Sequence, residues 1–120
     1  MRVVVIQGGL NDAYQRLDTF PAAAAASVDL LKRKYPAAIV VILGPTPASL
    51  TVDRPLAQVD SMLRTVAAQK GLTYISPITE TWVTSANYAS VIDVTATSRP
   101  DTKGHLYLSE RTTAALRALQ

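Results

Sequence analysis

The fold is decided by the stretch Val3-Val4-Val5-Ile6-Gln7-Gly8-Gly9-Leu10-Asn11-Asp12. Four consecutive β-branched residues predict a parallel strand that is buried on both faces. The two glycines permit a sharp turn, after which Asn11 and Asp12 bring short polar side chains to the carboxyl end of the strand. Ligands bind at that end in open α/β sheets, so Gly9, Asn11 and Asp12 are candidate ligand-binding residues. A plain Gly-rich turn with an Asx cap is the alternative interpretation.

The remainder of the chain alternates strand and helix patterns. Ala38 to Leu43 predicts a second buried strand, which the proline-rich turn at 44–47 ends. A shorter, more alternating run, 72–77, predicts a third strand at or near an edge of the sheet. From 77 to 100 the pattern is mixed and predicts a long loop packed over the sheet. Its apolar anchors are Trp82, Tyr88, Val91 and Ile92.

Three helices are predicted between and after these strands. Pro21 suits the first turn of the first helix, with Asp18 or Thr19 as its cap, and Asp53 and Gly71 bound the second. Asp101 or Thr102 caps the last. Their predicted buried stripes are Ala24, Val28, Leu31 and Tyr35; then Val52, Leu56, Val59, Leu63 and Val66 or Ala67; and finally Leu108, Ala115, Leu116 and Leu119.

Composition predicts one globular domain over residues 1–120. Hydrophobic residues make up 48% of the chain and charged residues 18%, and cysteine is absent, which excludes disulfide and thiolate chemistry. No stretch reaches the ~20 apolar residues of a membrane span. The apolar run after Met1-Arg2 is too short for a signal-peptide core. We therefore expect a soluble protein made in the cytoplasm, whose final address stays open.

The net charge of +3 does not predict nucleic-acid or membrane binding. Basic residues are scattered, apart from Lys32-Arg33-Lys34 late in the first helix, where cations interact favourably with the helix dipole. No aromatic side chains are interleaved with a basic face. The single histidine, His105, has no partner at zinc-ligand spacing, and Asp93 and Asp101 are better explained as solvated loop acids than as cation ligands. No metal and no cofactor is expected.

Two motifs resemble blocks of the SGNH (GDSL-type) hydrolases. Gly9-Leu10-Asn11-Asp12 resembles the Gly-x-Asn-Asp block, which implies that Asn11 would donate a hydrogen bond to an oxyanion. The stretch 99–108, with Arg99-Pro100 and Gly104-His105, resembles the fifth block, and the turn 44–47 resembles the Gly-Pro turn after the family's fourth strand. The resemblance covers only the later part of the family's domain. It implies a three-layer αβα, flavodoxin-like domain with a short parallel sheet, lacking the family's first strands.

The catalytic positions of that family are not kept. Arg99 falls where the family has its catalytic histidine and Ala96 where it has the supporting aspartate, while the Gly-Asp-Ser block has no counterpart. Arginine stays protonated and cannot act as a base. A competing alignment makes Asp101 and His105 the acid and base, four residues apart. That spacing is one residue longer than the family's, and Gly104-His105 matches its ordinary helix start, which favours a surface or packing role for His105.

We therefore expect a catalytically degenerate domain, a pseudoenzyme acting as a binding or assembly module. Without the family's first strand, Val3 to Ile6 becomes an edge, which predicts a homo-oligomer or a partner chain paired there. A phage or other accessory structural protein would suit such a chain, and in the phage case it would be virion-associated. The alternative is an esterase half-domain whose serine comes from another chain, with Asn11 as oxyanion donor and His105 as base. A third option is a carbohydrate or acyl ligand bound without turnover.

Overall fold

The computed structural model describes residues 3–8, 17–47, 50–93, 99–100 and 102–119. The predictions made for Gly9, Asn11, Asp12, Ala96 and Asp101 lie outside these residues. The chain divides into two compact units. Unit 1 consists of Met1–Pro45 and Asp53–Ser76, and unit 2 consists of Thr46–Val52 and Pro77–Gln120.

Unit 1 is built on a parallel sheet of three strands in the order β1-β2-β3. The strands are β1 (Val3–Gln7), β2 (Ile39–Leu43) and β3 (Thr73–Ile75). Pairing of β1 with β2 runs from Val3 opposite Ile39 to Gln7 opposite Leu43, whereas β3 pairs with β2 over three residues only. The predicted α/β class with a short parallel sheet is therefore confirmed, and among the described residues the third strand lies at an edge of that sheet, as predicted.

Helix α2 of unit 1 begins and ends where the sequence predicts, and α1 begins where it predicts. Helix α1 spans Phe20–Lys34 with Thr19 at its N-cap, and α2 spans Arg54–Lys70. The Asp53 carboxylate caps α2 by accepting a hydrogen bond from the Leu56 N–H at 3.0 Å, and Gly71 ends it with a φ of 68°. The apolar side chains that α2 buries are Leu56, Val59, Leu63, Val66 and Ala67.

Two burial predictions in unit 1 are wrong. Strand β1 was expected to be buried on both faces, yet Val5 is 38% exposed and the other three aliphatic residues are half-buried. The reason is position, because β2 is the only strand that pairs with β1 in the described chain. Tyr35 was expected on the buried stripe of α1 but is 39% exposed. The helix ends one residue earlier, and the Tyr35 ring lies under the Lys34 ammonium at 5.8 Å.

Polar contacts join the carboxyl ends of the two helices in unit 1. Lys32 Nζ donates to the backbone carbonyl of Lys70 at 2.7 Å, and so satisfies one of the last carbonyls of α2. Lys70 Nζ in turn lies 2.9 Å from the Asp29 carboxylate on α1. This hydrogen bond from Lys70 lowers the pKa of Asp29. Lys32 of the basic cluster therefore has a structural role within unit 1.

Unit 2 is organised around buried apolar anchors, as predicted for Trp82, Val91 and Ile92, which are 2%, 2% and 1% exposed. The long loop expected here instead contains secondary structure. Helix α3 (Tyr88–Val91) leads into β4 (Ile92–Asp93), which pairs antiparallel with β5 (Arg99–Pro100). These elements are too short to produce a periodic signal in the sequence.

The last helix, α4 (Thr102–Arg117), also belongs to unit 2. Its predicted side chains Leu108, Ala115 and Leu116 are half-buried, while Leu119 lies beyond the helix end and is 40% exposed, so that part of the predicted stripe is wrong. Gly104 is buried, and a Cβ at that position would overlap the backbone carbonyl oxygen of Val91. Glycine is required there because α4 passes this close to α3.

Candidate functional site

The carboxyl ends of the three parallel strands lie on one side of unit 1. There the chain presents Gln7 as the last residue of β1 and Gly8 after it, Gly44 and Pro45 after β2, and Ser76 after β3. Gln7 and Gly8 are exposed, whereas the other three residues are buried. A cavity of about 230 Å³ opens beside the end of β1, between the sheet and the helices of unit 1. It is lined by Ile6, Gln7, Gly8, Phe20, Ala23, Ala24, Ser27, Ile42, Leu43 and Leu63.

The buried carboxylate of Asp60 lies next to the carboxyl end of β3. Asp60 lies on α2 and is 8% exposed, and its Oδ1 accepts hydrogen bonds from Tyr74 Oη and Ser76 Oγ, each at 2.7 Å. Its Oδ2 lies 3.4 Å from Arg64 one helical turn later, and the Arg64 guanidinium also lies 5.2 Å from the centre of the Tyr74 ring. Each carboxylate oxygen therefore has a partner, as a buried charge requires.

The surroundings of Tyr74 favour its neutral form. Burial and the hydrogen bond to Asp60 both raise the pKa of Tyr74, so the phenol keeps its proton to higher pH than an ordinary tyrosine and donates it in the hydrogen bond to Asp60. The Tyr74 hydroxyl reaches Asp60 by passing over Gly44, where an added Cβ would collide with it. A neutral phenol held in this way cannot serve as a base. These hydrogen bonds make the cluster of Asp60, Arg64, Tyr74 and Ser76 a tie between α2 and the carboxyl end of β3.

Catalysis by a Ser-His-acid relay has no support in the described residues. Ser76 contacts the Asp60 carboxylate directly, with no imidazole between them. His105 lies exposed on α4, and no hydrogen bond joins it to a serine or carboxylate of the described chain. Asp101, its predicted acid partner, lies outside the described residues, as do Gly9, Asn11 and Asp12. The backbone of Arg99 is placed in β5.

Sequence reasoning missed Asp60, Tyr74 and Ser76. The signal was present, because Asp60 interrupts the apolar stripe of α2 between Val59 and Leu63. A charged residue on a buried stripe needs partners, and Tyr74 and Ser76 are the polar residues that alternate with Ile75 along the third strand. Pairing these two signals would have predicted the tie.

Two kinds of feature are absent from the described part of the chain, a metal-binding cluster and a membrane-spanning helix. Over these residues no group of three or more His, Cys, Asp or Glu side chains is arranged to hold a metal ion. Nor does any helix in the described ranges combine the length and the apolar character needed to cross a membrane.

Comparison with known proteins provides a likeness of fold. No family model matches the chain, and no curated protein matches it. The chain is similar to the crystal structure of a protein from Lactobacillus plantarum solved by the Northeast Structural Genomics consortium, with a TM-score of 0.76 and 17% sequence identity. The alignment covers 97% of this chain but 66% of that protein, so the chain spans just under two thirds of its length. At this identity the likeness shows that the two share an α/β fold.

Proposed function

We propose that the chain is a catalytically degenerate, SGNH-hydrolase-like assembly module that pairs with a second copy of itself through β1. One observation supports this proposal: β1 lies at an edge of the described sheet, and Val5 at its centre is exposed. An edge strand presents a row of backbone N–H and C=O groups to any strand that comes alongside.

The two edges of the sheet differ in how they are protected. Strand β3 is three residues long and is tied by Tyr74 to Asp60 of α2. Strand β1 is five residues long and contains no charge, proline or glycine, which are the usual protections of an edge. It is therefore the better template for pairing, and its aliphatic side chains favour a partner that is equally apolar.

A second copy of the chain provides an equally apolar partner strand, and the two copies can pair symmetrically. A two-fold axis normal to the sheet places β1 of one copy antiparallel to β1 of the other, and such self-complementary pairing is the commonest form of homodimer. The two sheets then join into one of six strands. With the axis at the middle residue, Val5 lies opposite its own counterpart, and the area it now exposes becomes buried.

The resemblance to SGNH hydrolases supports the degenerate part of the proposal. Asn11 keeps one signature position, but Arg99 replaces the catalytic base, and Ser76 is already bound to Asp60. Gly104, which belongs to the resembling Gly-His helix start, is needed for contact with Val91. Labelling of the purified chain by a serine-directed phosphonate, together with ester turnover lost in His105→Ala, would contradict this part.

Light scattering of the purified protein across a range of concentrations tests the assembly. We expect a mass twice the chain mass of 12.9 kDa. Val5→Lys places two like charges opposite each other at the axis, so the variant should be monomeric at the same concentration with an unchanged circular dichroism spectrum. The matched control is Leu30→Lys, which adds the same charge at a residue of α1 that is 55% exposed and should leave the dimer intact.

Three results would overturn the pairing of two copies. The first is a wild-type monomer at every concentration, and the second is a Val5→Lys variant that remains dimeric. The third is a one-to-one complex with a different chain from the native source, which would replace the second copy with another polypeptide.

A further inference from the structure

Two nested hydrogen bonds close the turn that opens unit 2 after β3. The Trp82 N–H donates to the Pro77 carbonyl at 3.0 Å. Inside that bond, the Thr81 N–H donates to the Ile78 carbonyl at 3.1 Å. Pro77 and Trp82 at the ends of the turn are buried, whereas 79–81 is exposed. This nested pair is the bonding pattern of a Schellman motif, in which the residue before the last is left-handed and is usually glycine.

Threonine occupies the left-handed position of this turn. Thr81 has a φ of 51° and is the one non-glycine residue with a positive φ in the described part of the chain. Its Cβ crowds the following carbonyl there, and this strain lowers the population of the conformation about five- to thirtyfold. The Thr81 hydroxyl donates to the carbonyl of its neighbour Glu80 at 2.8 Å, so that bond does not attach the turn to another element.

Contacts of Trp82 hold the turn in this strained form. The Trp82 backbone carbonyl accepts hydrogen bonds from Tyr107 Oη on α4 at 2.6 Å and from Asn87 Nδ2 at 3.0 Å. The Trp82 indole ring is buried, and the Arg111 guanidinium of α4 lies 5.8 Å from its centre. A strained backbone persists only where its surroundings fix it. Here α4 contributes two of the groups that do so, and the Tyr107 hydroxyl makes the shortest of these contacts.

We propose that residues 77–82 form a strap with two conformations, closed with Thr81 left-handed and open with Thr81 relaxed. The nested bonds need a left-handed residue at this position, so its return to a negative φ breaks both of them and draws Trp82 away from α4. Helix α4 stays in place, because its contact with α3 is made by Gly104 against Val91. Opening exposes the Trp82 indole, which gives unit 2 an aromatic surface that the closed form hides. All of these residues belong to unit 2, so the proposal does not depend on pairing through β1.

Native-state hydrogen exchange followed by NMR tests whether the strap opens on its own. The amide protons of Thr81 and Trp82 should share one protection factor, and the Trp82 indole proton should follow them because opening releases the ring. After correction for intrinsic exchange rates, all three should exchange roughly tenfold or more faster than the amide protons at 108–112 of α4. Such a difference means that the strap opens while α4 stays folded.

Substitutions at Thr81 and Tyr107 test the strain and the contact that holds it. Thr81→Asn and Thr81→Gly should each slow exchange of the Trp82 amide about three- to tenfold, less than the full strain because asparagine keeps a Cβ and glycine gains freedom in the open form. Thr84→Asn is the matched control, since Thr84 is also exposed but has no positive φ, and it should change exchange by less than about twofold. Tyr107→Phe removes one hydrogen bond from the closed form and should speed exchange about two- to tenfold.

The strap is refuted if the Thr81 and Trp82 amides exchange no faster than those at 108–112, because the turn then opens only when α4 unfolds. It is also refuted if both Thr81 variants exchange as fast as the wild type or faster, since the left-handed residue then carries no strain. Unchanged exchange in Tyr107→Phe would remove α4 as the element that holds the strap closed. The Thr81 variants relieve strain and should remain folded, so they keep the test decisive if Tyr107→Phe does not fold.

Discussion

Substitution of Gly44 by alanine should destabilise the protein because of a single side chain, Tyr74. The added Cβ would collide with the Tyr74 hydroxyl and lie 2.9 Å from its Cζ, closer than real Cβ atoms come. Tyr74 can relieve the collision only by moving away from Asp60, which removes a hydrogen bond to a carboxylate. Overpacking costs about 1–3 kcal/mol, and a hydrogen bond to a charged group contributes about 1.5–3 kcal/mol. Together these two costs predict that Gly44→Ala lowers the free energy of unfolding by about 2.5–6 kcal/mol.

The double variant isolates that cause. In Tyr74→Phe the hydroxyl is absent and the bond to Asp60 is already lost, so adding Gly44→Ala should cost about 1–2 kcal/mol less than it does in the wild type. Part of the cost remains, because the ring carbons still lie close to the new methyl group. Gly8→Ala is the matched control, since its Cβ would meet no atom within 4 Å. It should change stability by less than about 0.5 kcal/mol.

Urea unfolding should be used to measure the free energy of unfolding of the wild type, Gly44→Ala, Tyr74→Phe, the double variant and the Gly8→Ala control. Far-ultraviolet circular dichroism and fluorescence of Trp82, the sole tryptophan, should be followed together, because coincident transitions are needed before free energies can be compared. If Gly44→Ala costs the same in the Tyr74→Phe background, within ~0.5 kcal/mol, the collision with the hydroxyl is not the cause and the reasoning fails.

Two further predictions concern unit 2 and alkaline pH. Gly104→Ala should destabilise by about 2–4 kcal/mol in the same assay, because its Cβ would overlap the Val91 carbonyl and backbone has little freedom to move; a cost no larger than that of Gly8→Ala would refute the close approach of α4 to α3. Because burial and the Asp60 hydrogen bond raise the pKa of Tyr74, the folded state keeps a proton that the unfolded chain begins to release near pH 10. The stability that this raised pKa contributes is complete below that pH and is lost as the pH rises above it, so wild-type stability should fall more steeply between pH 9.5 and 11 than that of Tyr74→Phe.

The secondary structure of unit 1 was predictable because its signals are local. Asp53 and Gly71 mark the ends of α2 through capping chemistry that depends only on neighbouring residues, and both predictions are confirmed. The burial of β1 was not predictable from local pattern. Whether a β-branched run is covered on both faces depends on what lies beside it, and β1 has a neighbouring strand on one side only in the described residues.

The candidate site was harder to predict than the fold. The motif reasoning chose Asn11, Asp12 and His105, whereas the buried polar cluster that the structure describes is built on Asp60. Asp60 joins residues 14 and 16 positions away in the sequence, and nothing in a single sequence fixes which strand faces a given helix. The prediction that Asn11 serves an oxyanion remains a prediction.

The unequal edges of the sheet determine how far self-pairing can extend. If two copies join through β1, the edges left at the ends of the six-stranded sheet are both β3, with three residues each and the Tyr74 tie to Asp60. Such an end offers a third copy few backbone groups to bind. Growth of such an assembly would therefore terminate at two chains and would not continue into a fibre. Under the proposed pairing, the Asp60 tie would limit the number of chains that can join, and loosening it would favour open-ended aggregation.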